Sequence, residues 1–518
     1  MRLHDTLDYT AREYPDADFA VSRGRRVTYR EALGAANRLA SALVGAGLAK
    51  GERFAVLSKN SIELALLYYA GSKAGVALVP LNYRLAPPEW SYIVRDSGAR
   101  VLFAQGPLAE ALEPVRGELT AVKHFVALDG TPAGWESLAS FVAGRSGRAP
   151  DREIEAGDDA YQMYTSGTTG RPKGAVLTHR AVTSQLHQAA LGFGARPGDR
   201  ALIVAPLYHA AAALTSFVTV QMGGTLYIHE DFVPAEVVRA LSEDGIALAM
   251  LVPAMIQFCL VGVPDVAARR YDALRMIVYG ASPISEQTLR RAIEVFGCDF
   301  LQGYGMTETT AAATYLFPAD HRRALAGEPR LLLSAGRPLL GTEVRIVDGD
   351  DRPLPNGTIG EVVVRGPQLM RGYWNLPGPS AEALRGGWMH TGDAGVLDDE
   401  GFLYIQDRVK DMIVSGGENV YPREVEDVIF QHPAVADVAV IGVPDERFGE
   451  AVKAMVVLKA GAEVSAEILL EFCKGRLGGY KRPRSVDFLD ALPRNPSGKV
   501  MKKDLREKYW AGRSRRVG

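Results

Sequence analysis

The chain has 518 residues, of which 47% are hydrophobic and 23% are charged, and its formal net charge is −2. This composition is typical of globular proteins, and the length suggests about three or four domain-sized units. A charge so close to neutral excludes a general electrostatic attraction to nucleic acid or to an acidic membrane. We therefore expect no nucleic-acid partner, and any phosphate must be bound by local basic groups.

The cysteines Cys259, Cys298 and Cys473 lie far apart and form no CxxC pair, and the histidines show no HExxH spacing. This pattern argues against a disulfide framework or a zinc site and favours a reducing compartment. The N-terminal residues lack the apolar core of a signal peptide, and the last residues, SRRVG, lack the SKL peroxisomal address. We therefore expect a cytoplasmic protein.

The longest apolar stretch covers residues 246–263 and contains Pro253 and Gln257. A membrane-spanning helix needs about 20 consecutive predominantly apolar residues, and the proline and the glutamine interrupt this stretch. We predict a buried strand followed by a helix here, and no integral contact with a membrane.

Helical and strand-like patterns alternate from about residue 28 to residue 320. Apolar residues at helical spacing between Leu33 and Leu43 predict a helix that ends near Gly45. The strand-like runs after it are Arg53–Leu57, Val76–Val79, Arg100–Ala104, Ala201–Ala205, Thr225–His229, Ala247–Val252 and Arg275–Tyr279. Strands that alternate with helices are typical of an α/β protein with largely parallel sheets.

The pattern changes after residue 342 to short strands separated by turns, which predicts a small antiparallel β subdomain. A last α+β unit begins near residue 410, with helices predicted at Arg423–Gln431 and Ala466–Arg476. We therefore predict a large N-terminal domain over residues 1–407 and a small C-terminal domain over residues 408–518.

The segment YTSGTTGRPKG, residues 164–174, lies between two apolar, strand-like runs. Its glycines let backbone N–H groups approach an anion, and its hydroxyls and Lys173 add further donors, so the loop can wrap the oxygens of a polyphosphate. A P-loop is excluded, because its motif requires a second glycine where Pro172 stands. The predicted phosphate-binding residues are Thr165, Ser166, Gly167, Thr168, Thr169, Gly170 and Lys173.

Four more segments follow this loop in order along the chain. They are Gln302–Thr309 (QGYGMTET), Thr391–Asp393 (TGD), Asp407–Glu426 (DRVKDMIVSGGENVYPREVE) and Asn495–Lys499 (NPSGK). Together with the loop they resemble the adenylate-forming superfamily of acyl-CoA synthetases, luciferases and peptide-synthetase adenylation domains. The resemblance extends from about residue 10 to residue 505.

The resemblance implies a two-step ligase that uses ATP, Mg²⁺ and coenzyme A. A carboxylate attacks the α-phosphate of ATP, pyrophosphate leaves, and a thiol then displaces AMP from the acyl-adenylate. Glu308 matches the family's metal-binding carboxylate, for a magnesium ion that bridges phosphate oxygens. Thr307 matches the hydroxyl that touches the α-phosphate.

The resemblance also implies an adenosine site. The flat ring of Tyr304 is suited to stacking on adenine, Asp393 matches the acceptor for two ribose hydroxyls, and Arg408 would reach the ribose and phosphate with charge-assisted bonds. Strand ends are where α/β sheets bind ligands. The other residues expected to form the walls of this site are Gly280, Ala281, Ser282, Gln302, Gly303, Gly305 and Met306.

Lys499 is the residue that we expect to catalyse the first step. The carboxylate and the α-phosphate are both anions, and an ammonium group between them cancels their repulsion and stabilises the charge of the transition state. The resemblance implies that the C-terminal domain is mobile and presents a different face for each step, with Lys410 at the hinge.

For the second step, the resemblance places a narrow passage for the pantetheine arm of coenzyme A at Gly416 and Gly417. Phe448 takes the place of an aromatic residue that lines this passage in relatives, many of which have tryptophan there. Lys481 and Arg482 are candidates for binding the coenzyme A phosphates, with solubilising surface charge as the alternative.

The acid pocket of relatives includes the segment that reads PLYHAAAALTS here, residues 206–216. His209 matches a residue at the pocket mouth, and we expect a wall or gate, because the substrate carboxylate has already lost its proton. Ala213, Gly280 and Gly303 are assigned to the same pocket, and no aspartate in residues 206–213 could pair with a substrate amine. We expect a medium- or long-chain fatty acid, with a hydroxycinnamate or benzoate-type acid as the alternative.

Other activities stay open from the sequence. They are an oxygen-using luciferase, a stand-alone adenylation enzyme that loads a carrier protein, and a non-catalytic nucleotide-binding protein. The presence together of Glu308, Asp393, Arg408 and Lys499 argues against the last of these. The sequence does not establish the oligomeric state, and a homodimer is one option.

Overall fold

The computed structural model describes residues 1–130, 132–165, 171–282, 284–408, 411–415, 418–445, 448–474, 476–494 and 500–511. The chain divides into two compact units. The first contains residues 1–332, 338–343 and 365–389, and the second contains residues 333–337, 344–364 and 390–518. The antiparallel region around residues 344–406 therefore groups mainly with the second unit, and the domain boundary between residues 407 and 408 stays a prediction.

The α-helices of the described residues begin close to the N-terminus. They are α1 (Leu3–Glu13), α2 (Tyr29–Gly45), α3 (Ile62–Ala74), α4 (Pro87–Ser97), α5 (Gly106–Arg116), α6 (Leu138–Phe141), α7 (His179–Phe193), α8 (Ala210–Gln221), α9 (Pro234–Glu243), α10 (Pro253–Gly262), α11 (Glu286–Phe296), α12 (Pro318–Leu325), α13 (Pro377–Ala383), α14 (Pro422–Phe430), α15 (Ala466–Phe472) and α16 (Lys502–Trp510).

The strands alternate with these helices along most of the chain. They are β1 (Asp18–Ser22), β2 (Arg25–Thr28), β3 (Arg53–Leu57), β4 (Ala77–Leu81), β5 (Val101–Ala104), β6 (His124–Ala127), β7 (Glu136–Ser137), β8 (Asp159–Thr165), β9 (Lys173–Thr178), β10 (Arg200–Ile203), β11 (Thr225–Ile228), β12 (Ile246–Met250), β13 (Met276–Gly280), β14 (Asp299–Tyr304), β15 (Thr314–Leu316), β16 (Arg337–Pro338), β17 (Glu343–Val347), β18 (Gly360–Arg365), β19 (Gly372–Tyr373), β20 (Met389–Leu397), β21 (Leu403–Arg408), β22 (Ile413–Ser415), β23 (Glu418–Val420), β24 (Val435–Asp445), β25 (Gly449–Leu458) and β26 (Ser485–Phe488).

Two large sheets organise the first unit. One has the strand order β16-β15-β14-β13-β12-β10-β11-β1-β2, and the other has the order β19-β9-β8-β4-β3-β5-β6-β7. Neighbouring strands from β10 to β14 and from β3 to β6 run parallel, with helices between them along the chain. This arrangement confirms the predicted α/β class, because parallel neighbours need crossover helices.

Hydrogen bonds at helix ends explain why several helices begin where the sequence changes pattern. The Thr28 side chain accepts from the Glu31 N–H while the Glu31 carboxylate accepts from the Thr28 N–H, which forms a capping box for α2. Thr178 accepts from the Ala181 N–H in the same way and starts α7 directly after β9. The chain therefore turns into a helix immediately after the strand that carries Lys173.

The second unit contains a four-stranded sheet of order β17-β18-β20-β21, in which β20 and β21 pair antiparallel. A separate sheet of order β23-β22-β25-β24, with β26 beside β25, buries the apolar side chains of α14 and α15 in its core. The predicted helix at Ala466–Arg476 is too long, since α15 ends at Phe472.

The apolar stretch at residues 246–263 forms β12 and α10, as predicted. β12 is buried along its length, but Phe258 and Val261 of α10 are 57% and 73% exposed. The helix has apolar residues on more than one face, and only one face packs against the core. In the part of the chain that the structure describes, no helix is long and apolar enough to cross a membrane.

Candidate active site

The predicted phosphate loop connects two paired strands. β8 and β9 form an antiparallel hairpin whose last pair is Thr165 with Lys173. The loop residues Ser166, Gly167, Thr168, Thr169 and Gly170 lie outside the described residues. The hairpin thus places Thr165 and Lys173, the two ends of the predicted cradle, side by side.

Hydrogen bonds to Asp96 of α4 fix the hairpin and the neighbouring Trp374. The Tyr164 hydroxyl donates to Asp96 Oδ2 at 2.6 Å, and the Trp374 indole donates to the Asp96 carbonyl oxygen at 3.1 Å. Burial, with the nearby Asp96 carboxylate, raises the pKa of Tyr164 well above its usual value, so the phenol stays a donor. Gly174 leaves room for the Tyr164 side chain, because a Cβ at Gly174 would lie 3.0 Å from the Tyr164 ring carbon Cζ and 2.5 Å from Gln162 Nε2.

Glu308, the predicted metal-binding carboxylate, lies in a short 3₁₀ helix, Thr307–Thr309, that follows β14. Glu308 is only 4% exposed, so it is not an ordinary surface acid. The Thr165 hydroxyl donates to Glu308 Oε1 at 3.4 Å and the Tyr373 hydroxyl donates to the same oxygen at 2.8 Å. The end of the phosphate-loop strand and the acidic residue therefore meet within one unit.

Tyr373 is a member of this group that the sequence did not predict. It lies on β19, which pairs antiparallel with β9 and places Tyr373 opposite Ala175. The Lys173 ammonium lies 5.0 Å from the centre of the Tyr373 ring. Burial, with the Glu308 carboxylate, raises the pKa of Tyr373 well above its usual value, so its hydroxyl remains protonated and donates to Glu308.

These groups fit a hard divalent cation. Both hydrogen bonds to Glu308 fall on Oε1, so Oε2 carries neither of them. Magnesium prefers oxygen ligands and is commonly held by one or two carboxylates together with substrate phosphates. Glu308, beside the hydroxyl of Thr165, offers that donor chemistry next to the phosphate-loop strand.

The predicted adenine wall lies where two parallel strands end. Gly280 ends β13 opposite Gly303 of β14. A Cβ at Gly280 would lie 2.1 Å from the Gly303 carbonyl oxygen, and Ala281 takes a left-handed backbone with φ of 65°. Tyr304 is the partly buried last residue of β14. The pairing of β13 with β14 thus places Gly280 beside Gly303. The other predicted wall residues adjoin these two along the chain: Ala281, Ser282, Gln302, Tyr304, Gly305 and Met306.

The predicted gate residue, His209, precedes the first turn of α8 as its N-cap residue. Its Nε2 atom is buried and has no hydrogen-bond partner in the described part of the chain. Burial, with a smaller effect of the Arg84 charge, lowers the pKa of His209 to about 4. Its ring is therefore neutral at pH 7. The ring centres of Tyr208 and His209 lie 4.4 Å apart. Ala213 is fully buried one turn into α8.

The second unit carries the predicted ribose ligand. Asp393 lies within β20 and is paired in register with Arg408 of β21. The Asp393 N–H donates to the Thr391 hydroxyl oxygen at 3.1 Å. The two residues predicted to contact the ribose are thus neighbours across one pair of strands.

The residues predicted for the second step are only partly described. Phe448 lies with its ring centre 4.8 Å from the Arg484 guanidinium carbon. Lys481 forms a 2.7 Å ion pair with Glu424, so an anion at Lys481 would have to compete with that carboxylate. Arg482 is partly buried. The remaining predicted residues, Lys410, Gly416, Gly417 and Lys499, lie outside the described residues.

Comparison with known protein families gives two matches along the chain. The model of the AMP-binding enzyme family matches residues 7–374, and that of the AMP-binding enzyme C-terminal domain matches residues 424–499. The chain belongs to the AMP-binding enzyme family. This assignment confirms the resemblance to the adenylate-forming superfamily that the five motifs indicated.

The curated relatives cover nearly the whole chain. A fatty acid–[acyl-carrier-protein] ligase, ScoC, of Streptomyces coeruleorubidus is 39% identical over 99% of this chain and 98% of its own length. The long-chain-fatty-acid–CoA ligase FadD13 of Mycobacterium tuberculosis is 40% identical over 94% of each chain. A feruloyl-CoA synthase of an Amycolatopsis species is 37% identical over 96% of this chain and 97% of its own length.

Solved structures of similar enzymes support this family assignment. The Mycobacterium tuberculosis fatty acyl CoA synthetase is 36% identical and superimposes with a TM-score of 0.76 over 99% of both chains. ATP-bound MatB from Rhodopseudomonas palustris is 31% identical, with a TM-score of 0.88 over 98% of this chain and 99% of that one. The protein is therefore an ATP-using, AMP-forming acid–thiol ligase, as predicted from its motifs.

Proposed function

We propose that this ligase joins a medium- or long-chain fatty acid to coenzyme A. The observation that carries the choice of acid is the segment at the start of α8. Ala210, Ala212 and Ala213 are almost completely buried, and the adjacent His209 is neutral. Small apolar side chains without a charged partner suit an uncharged hydrocarbon chain and offer nothing to a substrate amine.

In the first step, the proposed cradle at Thr165 and Lys173 holds the phosphates of ATP. Glu308 would hold a magnesium ion, which when bound neutralises phosphate charge. Tyr373 keeps the Glu308 carboxylate in place from one side through its 2.8 Å hydrogen bond. Lys499 would then offset the repulsion between the acid carboxylate and the α-phosphate.

Asp393 and Arg408 are the proposed ligands of the ribose, and Tyr304 the stacking partner of adenine. Asp393 and Arg408 are paired in register on β20 and β21, which supports their acting on one sugar. A carboxylate accepts two hydroxyl hydrogen bonds at once, and an arginine adds charge-assisted donors.

In the second step, rotation at Lys410 is proposed to exchange the face that carries Lys499 for the face that carries Gly416 and Gly417. Phe448 would line the pantetheine passage, and Lys481 and Arg482 would meet the coenzyme A phosphates. Because Lys481 forms an ion pair with Glu424, a coenzyme A phosphate must displace Glu424 in order to bind Lys481.

The curated relatives support one alternative thiol and one alternative acid. The curated relatives include a carrier-protein ligase, which favours a protein-bound phosphopantetheine thiol as the second candidate acceptor. They also include a feruloyl-CoA synthase, which favours a hydroxycinnamate as the second candidate acid. Both share the predicted chemistry and differ only in the acid or the thiol.

The test is the rate of pyrophosphate release and of thioester formation over a panel of acids. Octanoate, dodecanoate, palmitate, ferulate and benzoate are each supplied with ATP and either coenzyme A or a phosphopantetheinylated carrier protein. We expect the highest kcat/KM with a fatty acid and coenzyme A. A higher kcat/KM for ferulate would overturn the choice of acid, and thioester formation on the carrier protein alone would overturn the choice of thiol.

A further inference from the structure

Glu361, at the start of β18, bonds to the neighbouring strand through both oxygens of its side chain. Oε1 accepts from the Gly392 N–H at 3.0 Å, and Oε2 lies 3.0 Å from Nδ1 of His390. The Glu361 side chain is 21% exposed and that of His390 is 6% exposed, so water competes little for either contact. One carboxylate thus bonds two positions of β20 immediately before Asp393.

The backbone at Gly392 explains why this carboxylate matters. Gly392 has a left-handed backbone with φ of 69°, a conformation that residues other than glycine rarely adopt. The Gly392 N–H donates to Glu361 and the Asp393 N–H donates to the Thr391 hydroxyl oxygen. Two consecutive N–H groups are therefore satisfied by side chains, so the path of β20 at Asp393 depends on those side chains.

Thr391 is itself fixed to β18. Its hydroxyl donates to the Val362 carbonyl oxygen at 2.7 Å and leaves a lone pair for the Asp393 N–H. Glu361 and Thr391 therefore hold the two peptide N–H groups on either side of the Gly392 α-carbon. If Glu361 were lost, the Gly392 N–H would lose its acceptor, and a glycine in a left-handed conformation has little else to restrain it.

We propose that Glu361 is a positioning residue for Asp393, which sets the Asp393 carboxylate to accept the ribose hydroxyls of ATP. This inference rests on the proposed role of Asp393 as the ribose ligand. Glu361 touches neither the nucleotide nor the reacting atoms in this role. Its effect should therefore be confined to the recognition of the ribose hydroxyls, with chemistry and acid binding left intact.

The test compares ATP with 2′-deoxy-ATP and 3′-deoxy-ATP as substrates for pyrophosphate release. Glu361→Met keeps the length of the side chain but removes the acceptor, and Glu361→Gln keeps an acceptor for the Gly392 N–H. We expect E361M to raise the KM for ATP about tenfold with kcat within about threefold, because a hydrogen bond to a charged group is lost. The KM for the acid should stay at the wild-type value, and the KM for each deoxynucleotide, which keeps one of the two hydroxyls, should rise less than the KM for ATP.

E361M should therefore lose most of the wild-type preference for ATP over the deoxynucleotides, whereas E361Q should retain it. Glu361→Asp, which draws the carboxylate back by one methylene, should lie between them and serves if E361M does not fold. The matched control is Glu343→Ala on β17 of the same sheet, an exposed carboxylate bonded to Arg365. It should change neither KM nor the preference.

The nucleotide preferences distinguish a failure of the Glu361 role from a failure of the Asp393 role. A folded E361M that keeps the full wild-type preference would overturn the role of Glu361 while leaving that of Asp393 intact. A wild-type enzyme that shows no preference between ATP and either deoxynucleotide would overturn the ribose role of Asp393 and this inference with it. A rise in the KM for all three nucleotides by the same factor would show a general structural role and would also overturn the inference.

Discussion

The hydroxyl of Tyr373 donates to Oε1 of Glu308 at 2.8 Å, across 65 residues of sequence. Tyr373 reaches that position because β19 pairs with β9, the strand that begins with Lys173. A single tyrosine thus touches the proposed metal-binding carboxylate with its hydroxyl and lies beside the phosphate-loop lysine with its ring.

Replacement of Tyr373 by phenylalanine should weaken the proposed magnesium site. The ring and its contact with Lys173 are kept, but Glu308 loses a donor, and a hydrogen bond to a charged group contributes about 1.5–3 kcal/mol. We expect the magnesium concentration for half-maximal pyrophosphate release to rise about tenfold. The control is Tyr92→Phe, whose hydroxyl donates to the Pro172 carbonyl oxygen and not to Glu308. An unchanged magnesium titration in Tyr373→Phe would contradict this role of Tyr373.

Lys499→Ala should separate the two half-reactions. Loss of the ammonium should slow adenylation by about 10²–10³ or more, because a group aimed at developing charge in the transition state is removed. Thioester formation from preformed acyl-adenylate should keep most of its rate. Lys503→Ala, four residues further along the same basic tail, is the control and should affect neither step. Equal losses in both half-reactions would refute the assignment of Lys499.

Gly305→Ala should disturb the segment that carries Glu308. A Cβ at this position would lie 2.5 Å from the Ala311 carbonyl oxygen and 2.6 Å from the Ala312 Cα, and both are backbone atoms that cannot rotate away. We expect a loss of about 1–3 kcal/mol in the free energy of unfolding and a raised KM for ATP. Gly378→Ala, where no atom lies within 4 Å of the added Cβ, is the control. Wild-type kinetics and stability in Gly305→Ala would show that the loop adapts.

Acid should destabilise the first unit through a buried histidine of α7. His179 is fully buried, its Nδ1 accepts from the Leu3 N–H at 3.3 Å, and burial lowers its pKa to about 4. Because the unfolded chain binds a proton near pH 6.5, the neutral ring stabilises the fold fully above pH 6.5. This stabilisation is lost as the pH falls toward 4, and the loss is about 2 kcal/mol at pH 5.

Urea unfolding at pH 7 and pH 5 measures this loss. His179→Gln can keep an acceptor for the Leu3 N–H and cannot be protonated, so its free energy of unfolding should fall less between the two pH values than that of the wild type. The control is His187→Gln, an exposed histidine on the same helix. The same pH dependence in the wild type and in His179→Gln would rule out the buried imidazole as its source.

Local patterns predicted much of the fold and the identity of the main segments. β3 has its predicted bounds, because hydrophobic spacing acts over a few residues. The end of α15 was predicted incorrectly, and the exposure of Phe258 and Val261 on α10 was not predicted. Both depend on how much of a helix finds a packing partner, which a short window of sequence does not contain.

Some residues of the candidate site could also be predicted from local sequence patterns. Glycines and hydroxyls near Lys173 and the TE pair at Thr307 and Glu308 are contiguous signals, and the family assignment agrees with them. Tyr373 and Glu361 gave no signal, because neither lies in a motif that we singled out. Their roles arise from strands that pair over long sequence distances.

The sequence by itself therefore determined the α/β class, the order of the nucleotide-binding segments and the kind of reaction, since each is written in short runs of residues. Only the tertiary structure decided that Glu308 is buried, that Tyr373 donates to one of its oxygens and that Glu361 holds the backbone before Asp393. These relationships depend on strand order and register. A shift of one residue in the register of β19 or β18 would turn Tyr373 or Glu361 to the opposite face of its sheet and abolish the contact.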